Sequence, residues 1–311
     1  MKVFGEERIN SFVSGNQSAP AVTALTGGGY VMTWISDGQD GSGEGIYAQR
    51  LDANGIGIGP EFRVNTTVGG TQTSPVIASL SDGGFVVVWS DYSGADGSGY
   101  GLFAQRYNAA GTAQGNEFRI NTTTSSTQYQ PNVSAFNGGF VVTWSSSQAS
   151  PGDANGYGVF GTRFNNAGSV LQTGGQNEFQ VNTYTTGHQW ESDVAAYADG
   201  RYVVAWLSEG QEGDGYSGVY AQRYSSSGAK IGSEFHVNTY TANYQFAPRI
   251  ATLSDGGFVV VWTSRGQDGG SDGVYGQRYD AAGNAAGGEF RVNVATDYDQ
   301  GQPDVIGLST G

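Results

Sequence analysis

The chain of 311 residues contains no cysteine, only two histidines and only two lysines, Lys2 and Lys230. The absence of cysteine excludes disulfides, thiolate zinc sites and cysteine nucleophiles. The two histidines, His188 and His236, are far apart in sequence, which argues against a multi-histidine metal centre. No apolar run approaches the roughly 18 residues that a membrane-spanning helix needs. We therefore expect no membrane insertion and little of the chemistry that depends on thiols or histidine clusters.

Positive charge is also scarce, because 28 acidic side chains face 14 basic ones and the formal net charge is −14. Phosphate backbones repel such a surface, so nucleic acid is not an expected partner. What the chain has in quantity is glycine, with 52 residues, together with 13% aromatic residues. Disordered chains are poor in aromatics, so this composition predicts a folded, turn-rich protein.

A repeat of 55 or 56 residues, lengthened to 61 in the third copy, accounts for this composition. Each copy has a glutamine, an apolar run that ends in tryptophan, an arginine and a glutamate. The tryptophans are Trp34, Trp89, Trp144, Trp206 and Trp262. Runs such as GGFVVVW (83–89) are rich in valine and aromatic residues, as is typical of buried strands. No segment shows a helical period.

Each repeat predicts four short antiparallel strands, and such units repeated at this spacing are typical of a β-propeller. We therefore predict an all-β fold, a single propeller domain over 1–311 with five blades. The blades cover 17–65, 72–121, 128–182, 189–238 and 245–293. Two further strands are expected at 6–10 and 303–308. A propeller of six blades with one split blade, and an open β-solenoid, are the alternative architectures.

The segments SDGGFVVVW (81–89), GQDGGSDGVYGQRYD (266–280) and GGEFRVN (287–293) carry a resemblance to known repeats. They resemble the β-propeller repeat regions of secreted bacterial haemolysin-type calcium-binding (RTX) and adhesin-like proteins. The resemblance implies a bacterial protein exported to the cell surface or the extracellular medium, where calcium is abundant. The glycine-aspartate nonapeptides that give that family its calcium β-roll are absent here.

The repeated arginines and glutamates predict structural pairs, because they lie 11 residues apart in four copies and could face each other across a hairpin. The acidic, glycine-rich loops after the tryptophans are candidate calcium sites, since hard cations prefer clustered carboxylate and carbonyl oxygens. The paired acids are Asp37 with Asp40, Asp91 with Asp96, Glu212 with Asp214, and Asp268 with Asp272. The alternative is that these loops are hydrophilic turns without a metal.

Residues that break the repeat mark a candidate ligand site. Tyr129, Trp190 and Phe246 follow the repeated glutamine in three consecutive copies, where the others have small residues. The adjoining segments add Tyr184, His188, Glu191, Tyr240 and Tyr244. Aromatic rings beside polar groups suit a carbohydrate, because rings stack on the apolar face of a sugar. The alternatives are that these rings only cover the core or that they form a protein-contact patch.

Catalysis is not predicted. Propeller glycosidases need two or three gathered carboxylates, and the unique acids Glu191, Asp193 and Asp304 show no spacing that ties them into a pair. We expect a non-catalytic extracellular recognition or adhesion module, lectin-like and calcium-assisted, that binds carbohydrate or a cell-surface glycan. A structural spacer in a large surface protein and a glycosidase-like propeller enzyme are the alternatives.

Overall fold

A computed structural model of the chain describes residues 7–147, 156–213 and 215–308. Five antiparallel sheets follow one another along the chain. The first contains β1 (Gln17–Ala24), β2 (Tyr30–Asp37), β3 (Glu44–Leu51) and β4 (Phe62–Arg63). The second contains β5 (Gln72–Ser79), β6 (Phe85–Asp91), β7 (Gly101–Tyr107) and β8 (Phe118–Arg119). The third contains β9 (Gln128–Phe136), β10 (Gly139–Ser146), β11 (Gly158–Asn165), β12 (Val170–Leu171) and β13 (Phe179–Gln180).

The fourth sheet contains β14 (Gln189–Ala196), β15 (Tyr202–Glu209), β16 (Ser217–Tyr224) and β17 (Lys230–His236). The fifth contains β18 (Gln245–Thr252), β19 (Phe258–Arg265), β20 (Asp272–Tyr279) and β21 (Phe290–Arg291). The predicted all-β class and the predicted four-stranded antiparallel units are confirmed. The third sheet has one strand more, since the longer third repeat adds the short β12 beside β11. Among the described residues, no helix has the length and apolar character needed to span a membrane.

The second strand of each sheet forms its buried centre. In β6, Phe85 and Trp89 are fully buried together with the three valines between them. The turns before these strands depend on glycine where backbones approach closely. A β-carbon at Gly84 would lie 2.3 Å from the carbonyl oxygen of Tyr107, so no larger residue fits there.

The chain divides into two compact units, Met1–Ile120 with the first two sheets and Asn121–Gly311 with the other three. Inside the second unit, adjacent sheets pack through aromatic rings. Phe235 of the fourth sheet lies 5.3 Å from Tyr279 of the fifth, measured between ring centroids. Phe179 of the third sheet lies 5.6 Å from Tyr224 of the fourth. The single domain predicted over 1–311 stays a prediction, and each unit is described by itself.

In the fourth sheet, polar contacts to neighbouring sheets replace the arginine–glutamate hairpin pair that the spacing predicted. The Arg223 guanidinium donates to the carbonyl of Ala281, which belongs to the next sheet, over 3.1 Å. Glu234 accepts the N–H of Thr183, which follows the end of the preceding sheet, over 2.6 Å. The prediction of a structural role agrees with these contacts. The predicted partner was wrong, because both side chains reach across to a neighbouring sheet instead of pairing within a hairpin.

The two additional strands predicted at 6–10 and 303–308 do not form. Residue 6 lies outside the described residues, and residues 7–10 are irregular. Residues 303–308 are also irregular, although Gln302 repeats the left-handed backbone found near the start of the first strands (φ 54°). A strand requires a hydrogen-bonded partner, and no described segment pairs with 303–308.

Candidate functional site

The candidate site is built on β14, the first strand of the fourth sheet. Its register with β15 shifts between Trp190 and Asp193, which marks a β-bulge. Glu191 sits in this bulge with φ of 50°, a left-handed conformation that costs most residues about 1–2 kcal/mol. The equivalent positions share this conformation and hold Ala19, Ser74, Gln130, Ala247 and Gln302. Of these six positions, only the one in β14 bears a carboxylate.

The strands β9 and β18 flank β14 and hold it by hydrogen bonds. The Asn132 amide of β9 donates to the Ser192 carbonyl over 2.5 Å. On the other side, the Ala247 N–H of β18 donates to Glu191 Oε2 over 3.0 Å. The Ile250 N–H of the same strand donates to Asp193 Oδ2 over 2.9 Å. Both carboxylates therefore lie against the backbone of β18. Because of the bulge, residues 191 and 193 of the same strand, β14, both reach it.

Asp193 is the more perturbed of the two acids. The pKa of its carboxyl is raised to about 6, mainly by burial, and the Asp304 carboxylate acts in the same direction. The Ile250 N–H and the Arg249 guanidinium act in the opposite direction but do not cancel the effect of burial. Asp193 as a whole residue is half-buried. A carboxyl crowded by protein in this way can hold a proton near neutral pH, as a general acid requires.

Four rings form an aromatic cluster at the start of the same strand: Tyr129, Tyr157, His188 and Trp190. Trp190 stacks on His188 with centroids 5.5 Å apart and on Tyr157 at 5.7 Å. Tyr129 meets Tyr157 edge-on at 5.2 Å. Burial raises the pKa of the Tyr129 hydroxyl, and Tyr157 and Glu191 add to the effect. The aromatic cluster thus adjoins the carboxylate at the bulge.

The structure brings together only part of the predicted aromatic site. Tyr129, His188, Trp190 and Glu191 are neighbours as expected, whereas the contacts of the remaining four residues are with groups outside this cluster. Tyr244 packs edge-on against Tyr216 at 5.1 Å, and the Arg265 guanidinium lies over the ring of Phe246 at 5.8 Å. Tyr184 donates to the carbonyl of Gly210, and the Tyr240 carbonyl accepts the Asn238 amide.

Sequence reasoning missed Tyr157, Arg249 and the convergence of the unique acids. No spacing in the sequence ties Glu191, Asp193 and Asp304 into a pair, and in the structure Asp193 and Asp304 interact electrostatically. The repeat itself held the signal. Asp193, Arg249 and Asp304 each lie four residues after the repeated glutamine, so they occupy equivalent positions on adjacent segments. Tyr157 lies in the lengthened third repeat, where the alignment of copies is poorest.

The acids predicted to bind calcium are mostly engaged within the protein. Asp272 accepts from Arg265 over 3.1 Å, and Glu212 lies 2.5 Å from His236 Nε2. Asp40, Asp96 and Asp268 each accept the backbone N–H two residues later, which shapes their loops. Burial raises the pKa of Asp91, Asp37 lies exposed at the end of β2, and Asp214 lies outside the described residues. No three acidic or histidine side chains gather within the described chain, and calcium binding stays a prediction.

Comparison with solved structures identifies the fold. The chain is similar to a protein of unknown function from Dyadobacter fermentans, with a TM-score of 0.62 and 13% identity over 96% of this chain and 89% of that one. It is also similar to an α-L-arabinanase from Penicillium chrysogenum complexed with arabinobiose (TM-score 0.59, 15% identity, 94% and 85% covered). A third match is an α-L-arabinofuranosidase from Fusarium graminearum complexed with an iminosugar inhibitor (TM-score 0.58, 12% identity, 92% and 82% covered). No family model and no curated protein matches the sequence.

These matches confirm the predicted fold class, an all-β propeller of five antiparallel sheets, of which four have four strands and the third has five. They contradict the prediction of a non-catalytic recognition or adhesion module, because an α-L-arabinanase and an α-L-arabinofuranosidase are among the matched proteins. The glycosidase-like alternative is the better supported one. At 12–15% identity the likeness shows the fold alone. None of these matches supports the resemblance to RTX and adhesin-like repeats.

Proposed function

We propose that this chain is a carbohydrate-acting enzyme that hydrolyses a glycosidic bond at β14. The observation that carries the proposal is the pair of carboxyls on β14. The pKa of Asp193 is raised to about 6, and Glu191, two residues earlier, adjoins the aromatic cluster. Glycoside hydrolysis needs one carboxyl that is still protonated and a second that is ionised. The bulge in β14 supplies two carboxyls in different surroundings from a single strand.

Each group has a role in the proposed reaction. Asp193 donates its proton to the glycosidic oxygen as the bond from that oxygen to the anomeric carbon breaks. The Glu191 carboxylate balances the positive charge that develops on the sugar ring. Its position is held by the Ala247 N–H, so little reorganisation is needed as that charge appears. Water then gives its hydroxyl to the anomeric carbon, and its remaining proton returns to the Asp193 carboxylate, so the departing sugar keeps the proton that Asp193 donated.

The aromatic cluster supports a sugar as the substrate. Trp190, His188 and Tyr157 form a stack of rings beside Glu191, and flat rings of this kind pack against the apolar face of a sugar. The matched arabinanase was crystallised with arabinobiose. We propose arabinose-containing oligosaccharides and polysaccharides as the first substrates to try.

The test is release of reducing sugar from a panel of polysaccharides and aryl glycosides that includes arabinose-containing substrates. We expect turnover by the wild-type chain and a loss of at least about a hundredfold in both Asp193→Asn and Glu191→Gln, because general acid–base catalysis contributes about 10²–10⁴-fold. Asp199→Asn is the matched control, since Asp199 is an exposed acid paired with Arg201. Folded protein without activity on the whole panel, or variants as active as the wild type, would overturn the proposal.

Export to the cell surface or the medium is part of the same proposal, because polysaccharides are met outside the cell. The cysteine-free composition and the charge of −14 accord with a soluble exported repeat protein. Immunodetection in culture medium, on the cell surface and in cell lysate of the source organism tests it. Detection of the chain only in the lysate would contradict export, and the proposed site would be unaffected by this result.

A further inference from the structure

Aromatic residues also mark the start of β18, one repeat after the aromatic cluster at the start of β14. Both strands have a ring on each side of the repeated glutamine, His188 and Trp190 in β14 and Tyr244 and Phe246 in β18. None of the other four copies of this glutamine has a ring on both sides. Two consecutive copies of the repeat therefore share a feature that the rest of the repeats lack.

The rings at β18 form a second ring cluster, which consists of Tyr216, Tyr244 and Phe246. Tyr216 directly precedes β16 and meets Tyr244 edge-on, with ring centroids 5.1 Å apart. In the same way, Tyr157 directly precedes β11 and stacks on Trp190. Tyr216 is 36% exposed and Tyr244 is 41% exposed. Rings that are open to solvent in this way can pack against the apolar face of a sugar.

Arg265, at the end of β19, adds hydrogen-bond donors to the second ring cluster. Its guanidinium lies 5.9 Å from the ring centroid of Tyr244 and 5.8 Å from that of Phe246. Its Nε donates to Asp272 over 3.1 Å, which holds the group in place. No acceptor among the described residues is hydrogen-bonded to its two terminal amino groups, and the side chain is 53% exposed. These amino groups can therefore donate to the hydroxyls of a sugar that packs on the rings.

Glu191 is linked to both groups of rings. It follows Trp190 in the chain, and its Oε2 accepts the N–H of Ala247, which follows Phe246. The aromatic cluster takes its rings from the third and fourth sheets, and the second ring cluster takes them from the fourth and fifth. Packed sheets lie roughly 10 Å apart, which is more than the width of one sugar ring. A ligand that contacts both clusters is therefore a chain of several sugar residues that passes Glu191.

We infer that the second ring cluster and Arg265 form a second sugar subsite, on the opposite side of Glu191 from the aromatic cluster. This inference rests on the proposed hydrolysis and specifies its substrate. A substrate held on both sides of the broken bond is an internal stretch of a polysaccharide, so the enzyme cleaves within chains and releases oligosaccharides. Binding energy from such remote sugars can be used at the reacting centre, and substrates too short to reach the second subsite should therefore turn over more slowly.

Binding is tested with linear arabino-oligosaccharides of two and six sugar residues, titrated calorimetrically into the Asp193→Asn variant so that hydrolysis does not interfere. We expect the hexasaccharide to bind at least tenfold more tightly than the disaccharide, and Tyr244→Ala in the same background to remove most of this difference. Tyr92→Ala is the matched control, because Tyr92 is a 55% exposed tyrosine that packs on Tyr100 outside both clusters. Equal affinity for the two oligosaccharides, absence of hexasaccharide binding, or equal losses in the two tyrosine variants would overturn the inference.

The products of turnover separate this inference from the proposed hydrolysis. The wild-type chain should release oligosaccharides of mixed length from a linear arabinan at the earliest times. Tyr244→Ala should lower kcat/KM on this polymer at least tenfold more than on a short aryl arabinoside. Release of single sugars only, by an enzyme that turns over the aryl arabinoside, would overturn the inference and leave the proposed hydrolysis standing. Absence of all turnover, together with hexasaccharide binding that depends on Tyr244, would overturn the hydrolysis and leave the second subsite standing.

Discussion

The strands β14 and β18 are neighbours with the same bulge and almost the same backbone. They differ in the side chains at and after the bulge. β14 places Glu191 and Asp193 at the two positions where β18 has Ala247 and Arg249. The N–H groups of β18 then hold the two carboxylates of β14. The comparison shows that the repeated residues build the framework and that the departures from the repeat build the site. Variants of the framework and variants of the site should therefore change different properties of the chain.

The largest effect is expected in the framework. Trp206 is fully buried in the second strand of the fourth sheet, and Trp206→Ala should lower the free energy of unfolding by about 3–5 kcal/mol. Urea titration followed by circular dichroism measures this change. A loss below about 1 kcal/mol would mean that the repeated tryptophans do not hold the sheets together.

The chain should instead gain stability when the carboxyl of Asp193 is removed, because its pKa is raised in the folded state. The native pKa of Asp193 is about 6 against a usual 3.8, so the folded state binds this proton more tightly than the unfolded state. Below about pH 4 this carboxyl is protonated in the folded state and hardly lowers the free energy of unfolding. Its destabilising effect grows as the pH rises from about 4 through 6. Asp193→Asn should therefore stabilise the chain by up to about 3 kcal/mol at pH 8 and by little at pH 3.5.

The control for this pH dependence is Asp199→Asn, for which the opposite sign is expected. The Arg201 guanidinium lowers the pKa of Asp199, so removal of this carboxyl should cost stability at pH 8 and not at pH 3. Urea titrations at both pH values compare the two variants. If Asp193→Asn were destabilising at pH 8, the carboxyl would belong to the framework and not to a site.

A smaller effect is expected for the polar links between sheets. Glu234 accepts the Thr183 N–H and the Gln211 amide. Glu234→Gln removes the charge from these hydrogen bonds and should cost about 1–3 kcal/mol. Glu191→Gln is the comparison within the same sheet, and it should change stability less than it changes turnover. Thermal unfolding of both variants measures their changes in stability.

The smallest change in stability is expected for Trp190→Ala, because Trp190 is only partly buried, unlike Trp206. Its loss should change the free energy of unfolding by less than about 1 kcal/mol and weaken oligosaccharide binding at least tenfold. Isothermal titration with the best substrate of the panel, in the Asp193→Asn background, measures the binding. Undiminished affinity would show that the aromatic cluster has a packing role and does not bind the sugar.

Most of the fold could be predicted from the sequence, because the repeat fixes strand order, turn positions and the buried second strand all at once. The site could be predicted only in part. Trp190 and Glu191 stand out as departures from the repeat, but the interaction of Asp193 with Arg249 and Asp304 arises where separate repeats lie side by side. The raised pKa of Asp193 depends on atoms from three segments. The spacing of residues along one repeat does not report this crowding.

The recurring bulge has a consequence for how a chain of this kind acquires chemistry. Six segments carry the same left-handed residue two positions after the repeated glutamine. In β14 the side chain at this position reaches the backbone of β18. The repeated backbone thus provides six equivalent positions, of which the one in β14 holds a carboxylate. Substitutions at Ser74 or Ala247 could move or multiply the site without altering the backbone, which makes the architecture a ready substrate for the evolution of new specificities.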